Sequence, residues 1–421
     1  MTARKLSVFI SAYACEPHLG SEIGVGWHWV LEMSKYFDLF VLTRQSNRHT
    51  IESWIASHPE YNHIHFLYYD LLKWTRFWKK GLRGVHLYYM LWQWRINPIV
   101  KRTMQENDIQ IFHHLTYGNF LWSVSTYGQK RFFVWGPGSI GNSVPREFSK
   151  EYSIKGQVKE TLQRMVCKTL KYNRRFKKQC RNSNLILCKT IDTHQLVSLQ
   201  NIKKAVLFTD VASQIESIDD YAYINQNAND GIIKYVAVGS LEGWRGFDIL
   251  IEAFSIAIKT VPNIELEILG EGGERGKLKR LILKLMVSDK VHLSGKVSMD
   301  EYYKKLVSAD VAVNPCLREG SVTMAFDAIS LGKPLLCIET GGYTQLFNES
   351  HAVIIPLGTR RDTIDSITKG IVSLSDINVR RVKGGNAQKV AEGYTWAHKG
   401  RMVYELINGA YSEWIEKKKG I

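Results

Sequence analysis

The sequence Asp310-Val-Ala-Val-Asn-Pro-Cys-Leu-Arg-Glu-Gly-Ser-Val-Thr-Met-Ala-Phe-Asp-Ala-Ile-Ser-Leu-Gly-Lys-Pro334 indicates the fold of this chain more clearly than any other stretch. It begins as a short apolar strand, continues as a loop that ends in an acid and a glycine, and then becomes an amphipathic helix. The first backbone N–H groups of such a helix have no partner within it, so they can hold an anion. The stretch therefore predicts a strand-loop-helix unit with an anion site at its loop.

Two acids in this stretch are spaced to serve the two ends of one ligand. Glu319 and Asp327 lie eight positions apart, which is roughly 12 Å along a helix axis. That distance suits a nucleotide sugar, with one acid near the sugar, the other near the ribose and the diphosphate on the amides between them. Any strand-loop-helix unit can also begin a helix near an acid, so the spacing alone leaves both interpretations open.

The composition is that of a large folded protein. With 421 residues, 45% hydrophobic and 11% aromatic, the chain can bury two α/β cores. No run of about eighteen apolar residues occurs, and the N-terminus lacks a signal-peptide cleavage pattern, so we expect a cytoplasmic protein. The six cysteines lack the spacing of a metal site, which favours buried, reduced thiols.

Short β-branched or aromatic runs alternate with helical periodicity along the chain, which is typical of parallel sheets covered by helices. The runs form two series, and strands are expected at 6–13, 37–43, 63–69, 109–114, 132–135 and 184–188, then at 233–239, 265–270, 290–293, 311–315, 335–338 and 352–356. The polar stretch 213–231 separates the two series. We therefore predict an N-terminal domain over 1–212, a second domain over 213–394 and a C-terminal helix over 395–421.

The C-terminal segment is helical by its pattern. Its apolar residues are spaced to form one face, and they are Met402, Leu406, Ile407, Tyr411 and Trp414. We expect this helix to pack back on the N-terminal domain.

Two basic stretches accompany a formal charge of +16. Residues 73–94 interleave cations with aromatic rings, a composition suited to the bilayer interface, with ordinary core packing as the alternative. Residues 155–181 carry ten cations against the single acid Glu160, and a solvated helix face is the alternative to lipid docking there. Beneath these charges we expect an apolar stripe of Val158, Leu162, Met165, Val166, Leu170 and Phe176. We expect an anionic membrane surface as a partner and, without a recognisable nucleic-acid module, no nucleic acid.

Further candidate residues follow neighbouring strands of the second series. Gly239 ends its first strand and Ser240 follows directly. Arg245 comes next, beside a glycine that opens a helix, where a cation can bind a diphosphate. The turn at Gly270 follows the next strand and lets the backbone approach a flat ligand closely. Because Arg245, Gly270 and the Glu319 loop each follow a strand of one predicted sheet, all three are expected on its carboxyl edge.

The order of these motifs resembles the donor domain of family 4 retaining glycosyltransferases of the GT-B type. Gly-x-Leu, Arg-Gly, Leu-Gly-Glu-Gly, Glu-Gly, Gly-Lys-Pro and Gly-Gly occur between Val236 and Gly342 in the family's order. Residues 13–27, 113–117 and 135–141 resemble a bacterial subset thought to build surface polysaccharides. The resemblance implies an α/β fold with two Rossmann-like, doubly wound domains that face each other across a cleft.

The resemblance also implies roles for individual residues. Glu319 would contact the hydroxyls of the donor sugar, and Arg245 would neutralise the departing diphosphate. His113 or His114 would face the sugar from the first domain. The donor-binding residues would be Gly239, Ser240, Arg245, Gly270, Glu319, Gly320, Ser321, Val322 and Asp327, with the phosphates on the amides of 320–322. The residues that line the cleft on the first domain would be Gly20, Ser21, Glu22 and Gly138.

The implied reaction is the transfer of a sugar from a nucleotide sugar to a lipid-linked or oligosaccharide acceptor. A UDP-sugar is favoured as the donor over a GDP-sugar. The resemblance implies no metal ion and no other cofactor, and a peripheral position on the inner face of the plasma membrane. Two residues depart from the family pattern, because Ser240 stands where Arg is usual and Asp327 where Glu is usual. These departures motivate the alternative of a non-catalytic protein that binds a nucleotide sugar or a glycan.

Overall fold

The computed structural model describes residues 5–72, 84–140, 143–152, 154–201, 204–213, 231–318, 323–340 and 346–420. The chain divides into two compact units. The first unit comprises Met1–Ile140, Thr169–Asp210 and Trp396–Ile421, and the second comprises Gly141–Lys168 and Val211–Thr395. Nearly all of the stretch 213–231, where we expected the domain junction, lies outside the described residues.

The first unit is built on a parallel sheet with the strand order β3-β2-β1-β4-β5-β6-β7. Its strands are β1 Ser7–Ser11, β2 Asp38–Arg44, β3 His65–Tyr69, β4 Ile111–His114, β5 Phe132–Gly138, β6 Leu185–Cys188 and β7 Ala205–Leu207. Its helices are α1 Ser21–Ser34, α2 Arg48–Ser57, α3 Val85–Arg95, α4 Asn97–Glu106, α7 Arg174–Asn182, α8 Ile191–Asn201 and α15 Trp396–Lys419.

The second unit is built on a parallel sheet with the strand order β10-β9-β8-β11-β12-β13. Its strands are β8 Ile233–Val238, β9 Ile264–Leu269, β10 Val291–Gly295, β11 Val311–Asn314, β12 Leu335–Ile338 and β13 Ala352–Ile355. Its helices are α5 Arg146–Ser149, α6 Ile154–Thr169, α9 Phe247–Ala257, α10 Arg275–Lys284, α11 Met299–Ser308, α12 Thr323–Ser330, α13 Arg360–Ser373 and α14 Ile377–Ala391.

Both sheets are doubly wound, as the alternation of apolar runs and helical periodicity predicts. Most strand residues are buried, which suits strands covered by helices on both faces. The chain reverses its direction of travel across the sheet beside β1 in the first unit and beside β8 in the second. Loops that follow the strands at such a reversal point form the ligand crevice of open α/β sheets.

The segment 141–168 groups with the second unit, although we expected it within an N-terminal domain over 1–212. Val144 and Phe148 belong to the apolar core of the second unit, which also includes Leu250 and Phe254 of α9. The chain therefore enters the second unit once between β5 and β6 and again after β7. Hydrophobic period identifies strands and helices, but it does not say against which sheet a connecting segment packs.

The C-terminal helix α15 belongs to the first unit, in keeping with the expected return of the chain. The rings of Tyr411 and Trp414 lie 5.2 and 5.7 Å from the ring of Phe132 in β5. Its buried face differs in part from the predicted one. Met402 is exposed, whereas Val403 and the amine-bearing Lys399 are buried.

The two basic stretches also differ from the expected arrangement. Leu170 and Phe176 are buried in the core of the first unit, but Val158, Leu162, Met165 and Val166 are exposed. Residues 73–83 of the aromatic stretch lie outside the described residues. Within the described part of the stretch, Tyr88, Tyr89 and Trp92 are core residues. No helix in the described ranges is long and apolar enough to span a bilayer.

Candidate functional site

The carboxyl edge of the second sheet brings three loops together. Strand β8 pairs with β9 on one side and with β11 on the other, so the loops after these strands lie side by side. The Gly239 N–H donates to the Leu269 carbonyl at 2.9 Å, and the Leu317 N–H donates to the Trp244 carbonyl at 3.0 Å. The predicted common edge is confirmed for Arg245 and Gly270.

Glycine is required where these loops touch. Gly270 has a φ of +144°, and a Cβ there would lie 1.9 Å from the Gly239 carbonyl oxygen. Gly246, which precedes α9, has a φ of +70°, and its Cβ would lie 2.1 Å from the Pro315 carbonyl oxygen. A side chain at either position would force the loops apart, and the left-handed backbone favours glycine as well. The edge therefore presents closely packed backbone, which a ligand can approach.

Two arginines stack on one tryptophan at this edge. The guanidinium carbon of Arg245 lies 4.3 Å from the ring centre of Trp244, and that of Arg318 lies 5.1 Å from it. The Arg245 side chain also covers the end of β8, because its Nε lies 3.3 Å from the position of a Cβ at Gly239. Stacking on an indole restrains a guanidinium without removing its charge. Arg245 is thus a positioned cation where the sequence places one.

A buried ion pair anchors the β11 loop, and sequence reasoning missed it. Arg318 Nη1 contacts both carboxylate oxygens of Glu160, at 2.9 and 3.1 Å. Glu160 lies on α6 with a side chain only 4% exposed, and its Oε2 also accepts from the Val144 N–H at 3.4 Å. Arg318 directly precedes Glu319, so this pair fixes the start of the loop predicted to hold the donor. The only sequence signal was a lone acid in a basic helix.

The segment before α6 packs under the Arg245 turn. A Cβ on Gly243 would lie 2.9 Å from the ring of Tyr152, so the two residues are in close contact. Burial raises the pKa of Tyr152, and the charge of Asp248 raises it further. The turn therefore rests on a ring that stays neutral.

Asp327 does not lie at an open edge. Its side chain is fully buried, and its carboxylate accepts hydrogen bonds from the Tyr302 hydroxyl at 2.8 Å and from Ser213 Oγ at 3.4 Å. Burial raises the pKa of Tyr302 well above its usual value, and the Asp327 charge adds to this shift. The expected contact between Asp327 and a ribose is corrected to an internal contact, because residues 324–329 of α12 are all buried. Ser240 is exposed at the end of β8.

Several predicted residues lie outside the described residues. They are Glu319, Gly320, Ser321 and Val322. The side chain of Ser21 is likewise outside the description, although its backbone begins α1. Among the residues that the structure describes, no cluster of three or more His, Cys, Asp or Glu side chains is arranged to hold a metal ion.

The two histidines of β4 are buried, whereas we expected at least one to face a ligand. His113 Nε2 lies 2.7 Å from the Gly136 carbonyl oxygen, and His114 Nε2 lies 3.0 Å from the Tyr89 hydroxyl. Burial lowers the pKa of His113 to about 4 and that of His114 to about 3. Both imidazoles are therefore neutral near pH 7. Both histidines lie at the end of a strand, as the sequence predicts, but the sequence does not indicate that helices cover their side chains.

Glu22 and Gly138 both contact Gly118 at the carboxyl edge of the first sheet. The Gly118 N–H donates to Glu22 Oε1 at 3.2 Å. A Cβ on Gly138 would lie 2.6 Å from the Gly118 carbonyl oxygen and 2.1 Å from the Phe120 ring. Gly20 immediately precedes α1, which carries Glu22. The structure thus brings Glu22 and Gly138 to the same residue, Gly118, although they are far apart in sequence, and Gly20 lies two positions before Glu22.

An aromatic cluster lies at the same edge and was not predicted. The ring centres of Tyr13 and Tyr117 are 4.8 Å apart, and those of Tyr89 and Tyr117 are 4.5 Å apart. The guanidinium carbon of Arg44, at the end of β2, lies 5.1 Å from the Tyr13 ring. These residues come from four separate segments, so no local pattern indicates that they meet.

Comparison with known proteins finds relatives for most of the second unit. Residues 223–376 match the family model described as Glycosyl transferases group 1. A segment of 158 residues, 37% of this chain, is 30% identical to the UDP-N-acetylglucosamine–peptide N-acetylglucosaminyltransferase GtfA subunit of Streptococcus parasanguinis. That match spans 30% of the relative, and two further curated relatives are each matched over 40% of their length.

Solved structures with the same fold cover nearly the whole chain. The lipopolysaccharide outer core galactosyltransferase WaaB superposes with a TM-score of 0.64 over 96% of this chain and 99% of its own, at 12% identity. Anabaena Alr3699/HepE, solved in complex with UDP and glucose, gives a TM-score of 0.58 over 96% of this chain and 100% of its own, at 13% identity. At such identities the likeness concerns the fold. The chain therefore has the two-sheet GT-B fold, and residues 223–376 of its second unit are similar to the glycosyl transferases group 1 family.

Proposed function

We propose that this protein is a retaining glycosyltransferase that moves a sugar from a nucleotide sugar to a lipid-linked or oligosaccharide acceptor. The favoured donor is a UDP-sugar, and a GDP-sugar is the alternative. We place the reaction in bacterial surface-polysaccharide synthesis, at the inner face of the plasma membrane. One observation carries the proposal. Arg245, the Gly270 turn and the Trp244–Arg318 contact share one sheet edge, within the residues that match the group 1 family.

The relatives support the choice of donor and of acceptor class. GtfA is named for transfer from UDP-N-acetylglucosamine, and HepE was solved with UDP and glucose. WaaB is named as a lipopolysaccharide galactosyltransferase. A UDP-sugar donor and a surface-glycan acceptor for this chain agree with these names.

The proposed mechanism follows from where charge develops. Breaking the bond between the anomeric carbon and the diphosphate places positive charge on the sugar and negative charge on the leaving group. Arg245, restrained by Trp244, supplies a fixed cation at the strand edge. We assign the amides of Gly320, Ser321 and Val322, just before α12, to the phosphate oxygens. Donors that are already in position stabilise the leaving group without reorganisation, so they lower the barrier.

Retention of configuration fits attack from the face that the diphosphate leaves. In this proposal a phosphate oxygen takes the proton of the acceptor hydroxyl as the new bond forms. Glu319 then orients the sugar hydroxyls and forms no covalent bond to the sugar. Because Arg245 and the backbone amides neutralise the phosphates, the proposed reaction needs no metal ion.

We assign the acceptor to the edge of the first sheet. Glu22 supplies a carboxylate and Tyr117 a ring surface, the two features that commonly bind a sugar's hydroxyls and its apolar face. His113 and His114 act as positioning residues, because their lowered pKa values keep them neutral. His114 holds Tyr89, whose ring stacks on Tyr117.

Donor titration and turnover test this proposal together. Calorimetry with UDP, GDP and their sugars should detect binding in the micromolar to millimolar range, and transfer should be followed by release of the nucleotide. Arg245→Gln should lower kcat about a hundredfold or more, because it removes one positioned charge from the leaving group. Arg381→Gln, on an exposed arginine of α14, is the matched control and should leave kcat unchanged. If no nucleotide binds at millimolar concentration, the donor assignment fails.

A non-catalytic binder of nucleotide sugars or glycans is the second candidate. The internal hydrogen bonds of Asp327 and the neutral Ser240 favour it, since both weaken the expected grip on the donor. This candidate predicts binding without turnover. Turnover by the wild type that is lost in Glu319→Ala, while the nucleotide Kd stays within a few-fold, would exclude it.

A further inference from the structure

Helix α6 presents apolar side chains to solvent. Five of them are between 40% and 82% exposed, and they are Ile154, Val158, Leu162, Met165 and Val166. Ordinary surface helices expose polar residues and bury their apolar face. Single exposed apolar residues are common, but a contiguous row on one helix marks a contact surface.

The exposed apolar residues occupy one side of α6, opposite the side that packs on the protein. At 100° per residue they fall within an arc of about 120°. The residues on the opposite side are Gly156, Glu160, Gln163 and Cys167, and none of these four is exposed. Glu160 on that side binds Arg318. The helix is therefore fixed in rotation by its buried face, and the apolar side cannot turn inward without breaking the Glu160–Arg318 pair.

The charges around the apolar row have one sign. Lys159 and Lys168 are both exposed, and on the helical wheel they fall at the two edges of the apolar arc. The acid of this helix, Glu160, points to the opposite side and is neutralised by Arg318. The outer face of α6 is thus apolar in its centre and cationic at its rim.

We propose that this outer face of α6 docks on a lipid surface with anionic headgroups. The helix would lie in the plane of the interface, with Leu162 and Met165 among the acyl chains. Lys159 and Lys168 would reach the headgroups from the rim, as long cationic side chains do at interfaces. Apolar insertion and cationic attraction together give stable membrane binding, whereas either one alone is weak. Charge complementarity selects an anionic membrane over a neutral one.

The position of α6 gives the docking a consequence for the donor site. Its inner face binds Arg318, which stacks on Trp244 beside Arg245. The helix therefore lies between the docked surface and the donor loops of the second unit. This inference does not depend on the sugar-transfer proposal, because lipid binding is measured without a sugar donor.

Vesicle sedimentation with matched variants tests the proposal. The full-length protein should bind phosphatidylglycerol vesicles and bind phosphatidylcholine vesicles more weakly. The double variant Leu162→Gln/Met165→Gln should lower the partition coefficient on phosphatidylglycerol about tenfold or more, because two half-exposed apolar side chains no longer leave water. The control Leu283→Gln/Met286→Gln has the same residue types and spacing, at side chains 58% and 86% exposed. It should bind as the wild type does.

A second variant addresses the rim and provides an independent measurement. Lys159→Glu/Lys168→Glu should reduce binding to phosphatidylglycerol and leave the residual binding to phosphatidylcholine nearly unchanged. Wild-type sedimentation unaffected by the presence of phosphatidylglycerol vesicles would overturn the proposal, as would equal losses in the α6 and control double variants. A dimeric wild type that becomes monomeric in Leu162→Gln/Met165→Gln, with no lipid binding, would show that a second copy covers the face.

Discussion

The carboxyl edges of the two sheets have the same topology but different chemistry. At the edge of the second sheet Arg245 and Arg318 stack on Trp244, and Glu160 pairs with Arg318. The first sheet carries two fully buried histidines at its edge, and beside them Tyr89 stacks on Tyr117. One edge depends on positioned charge, while the other is supported by ionisable groups that burial keeps neutral.

This difference shows what the fold decides and what the loops decide. A doubly wound sheet brings the loops after its central strands together, whatever their sequence. The residues in those loops then determine the ligand, so that one architecture serves two purposes. The charged edge of the second sheet, with its two positioned arginines, suits a diphosphate. The aromatic edge of the first sheet, with its neutral histidines and the Glu22 carboxylate, suits a sugar ring. We therefore expect that removing a positioned charge destabilises the second unit, whereas protonating a buried neutral group destabilises the first.

Loss of the Glu160 carboxylate should have the largest effect on the charged edge. Glu160→Ala leaves Arg318 partly buried without its partner, which should lower the free energy of unfolding by about 3 kcal/mol. It should also reduce kcat, because the residue before Glu319 loses its anchor. Denaturant unfolding and nucleotide release measure the two effects. Glu301→Ala, on an exposed acid of α11, is the matched control.

A double variant separates the ion pair from the loop that it holds. Glu160→Ala/Arg318→Met removes both charges, so it should regain part of the lost stability. It should not regain kcat, since the guanidinium on Trp244 is then absent. If Glu160→Ala unfolds at the same denaturant concentration as the wild type, the second edge does not depend on this charge.

Glycine substitutions compare the geometry of the two edges. Gly270→Ala places a Cβ 1.9 Å from the Gly239 carbonyl at a φ of +144°, so it should cost about 2 to 3 kcal/mol and raise the Kd for the nucleotide. Gly138→Ala should cost a similar amount, because its Cβ meets Phe120, but leave the nucleotide Kd unchanged. Gly273→Ala, where a Cβ meets nothing within 4 Å, is the control for both. Equal nucleotide Kd values in Gly270→Ala and Gly138→Ala would remove the distinction between the edges.

The sequence predicts the framework of both edges well. Apolar runs bounded by turn residues give the strands, and strands that alternate with helices must be parallel, so Arg245 and Gly270 had to reach a common edge. The prediction failed where the direction of a side chain matters. Periodicity finds the apolar row of α6 but not whether it faces the core or the solvent. Asp327 likewise has the expected spacing from Glu319, but Tyr302 binds it from a separate helix.

Long-range contacts account for the other omissions. Glu160 and Arg318 are 158 positions apart, and no local pattern links an acid in a basic helix to a loop so distant. The aromatic cluster of Tyr13, Tyr89 and Tyr117 is also assembled from separate segments. His113 and His114 could be placed at a strand end, but their covering helices α1 and α3 come from other parts of the chain. Trp29 of α1 packs edge-on against His113, with ring centres 6.0 Å apart.

Acid should destabilise the edge of the first sheet through its buried histidines. The folded pKa of His113 is lowered to about 4 by burial, so the unfolded chain binds more protons than the folded one between that pH and the ordinary histidine pKa of 6.5. This group should therefore remove about 2 kcal/mol of stability as pH falls from about 7.5 to 5. His113→Gln should show a shallower loss in denaturant unfolding over that range. The exposed His49→Gln should keep the wild-type slope.

Alkali should stabilise the first unit slightly, through a buried amine of its C-terminal helix. Lys399 of α15 is 6% exposed and donates to the Thr209 carbonyl at 2.7 Å, and burial lowers its pKa to about 7. The unfolded chain holds this proton up to the ordinary lysine pKa of 10.5, so stability should rise with pH between the two values, by about 1 kcal/mol from pH 7 to 8. Lys399→Met should abolish that rise, whereas Lys419→Met, at an exposed position of the same helix, should retain it. A slope that persists in Lys399→Met would mean that the amine is charged in the folded chain, and that burial does not keep this group of the first unit neutral.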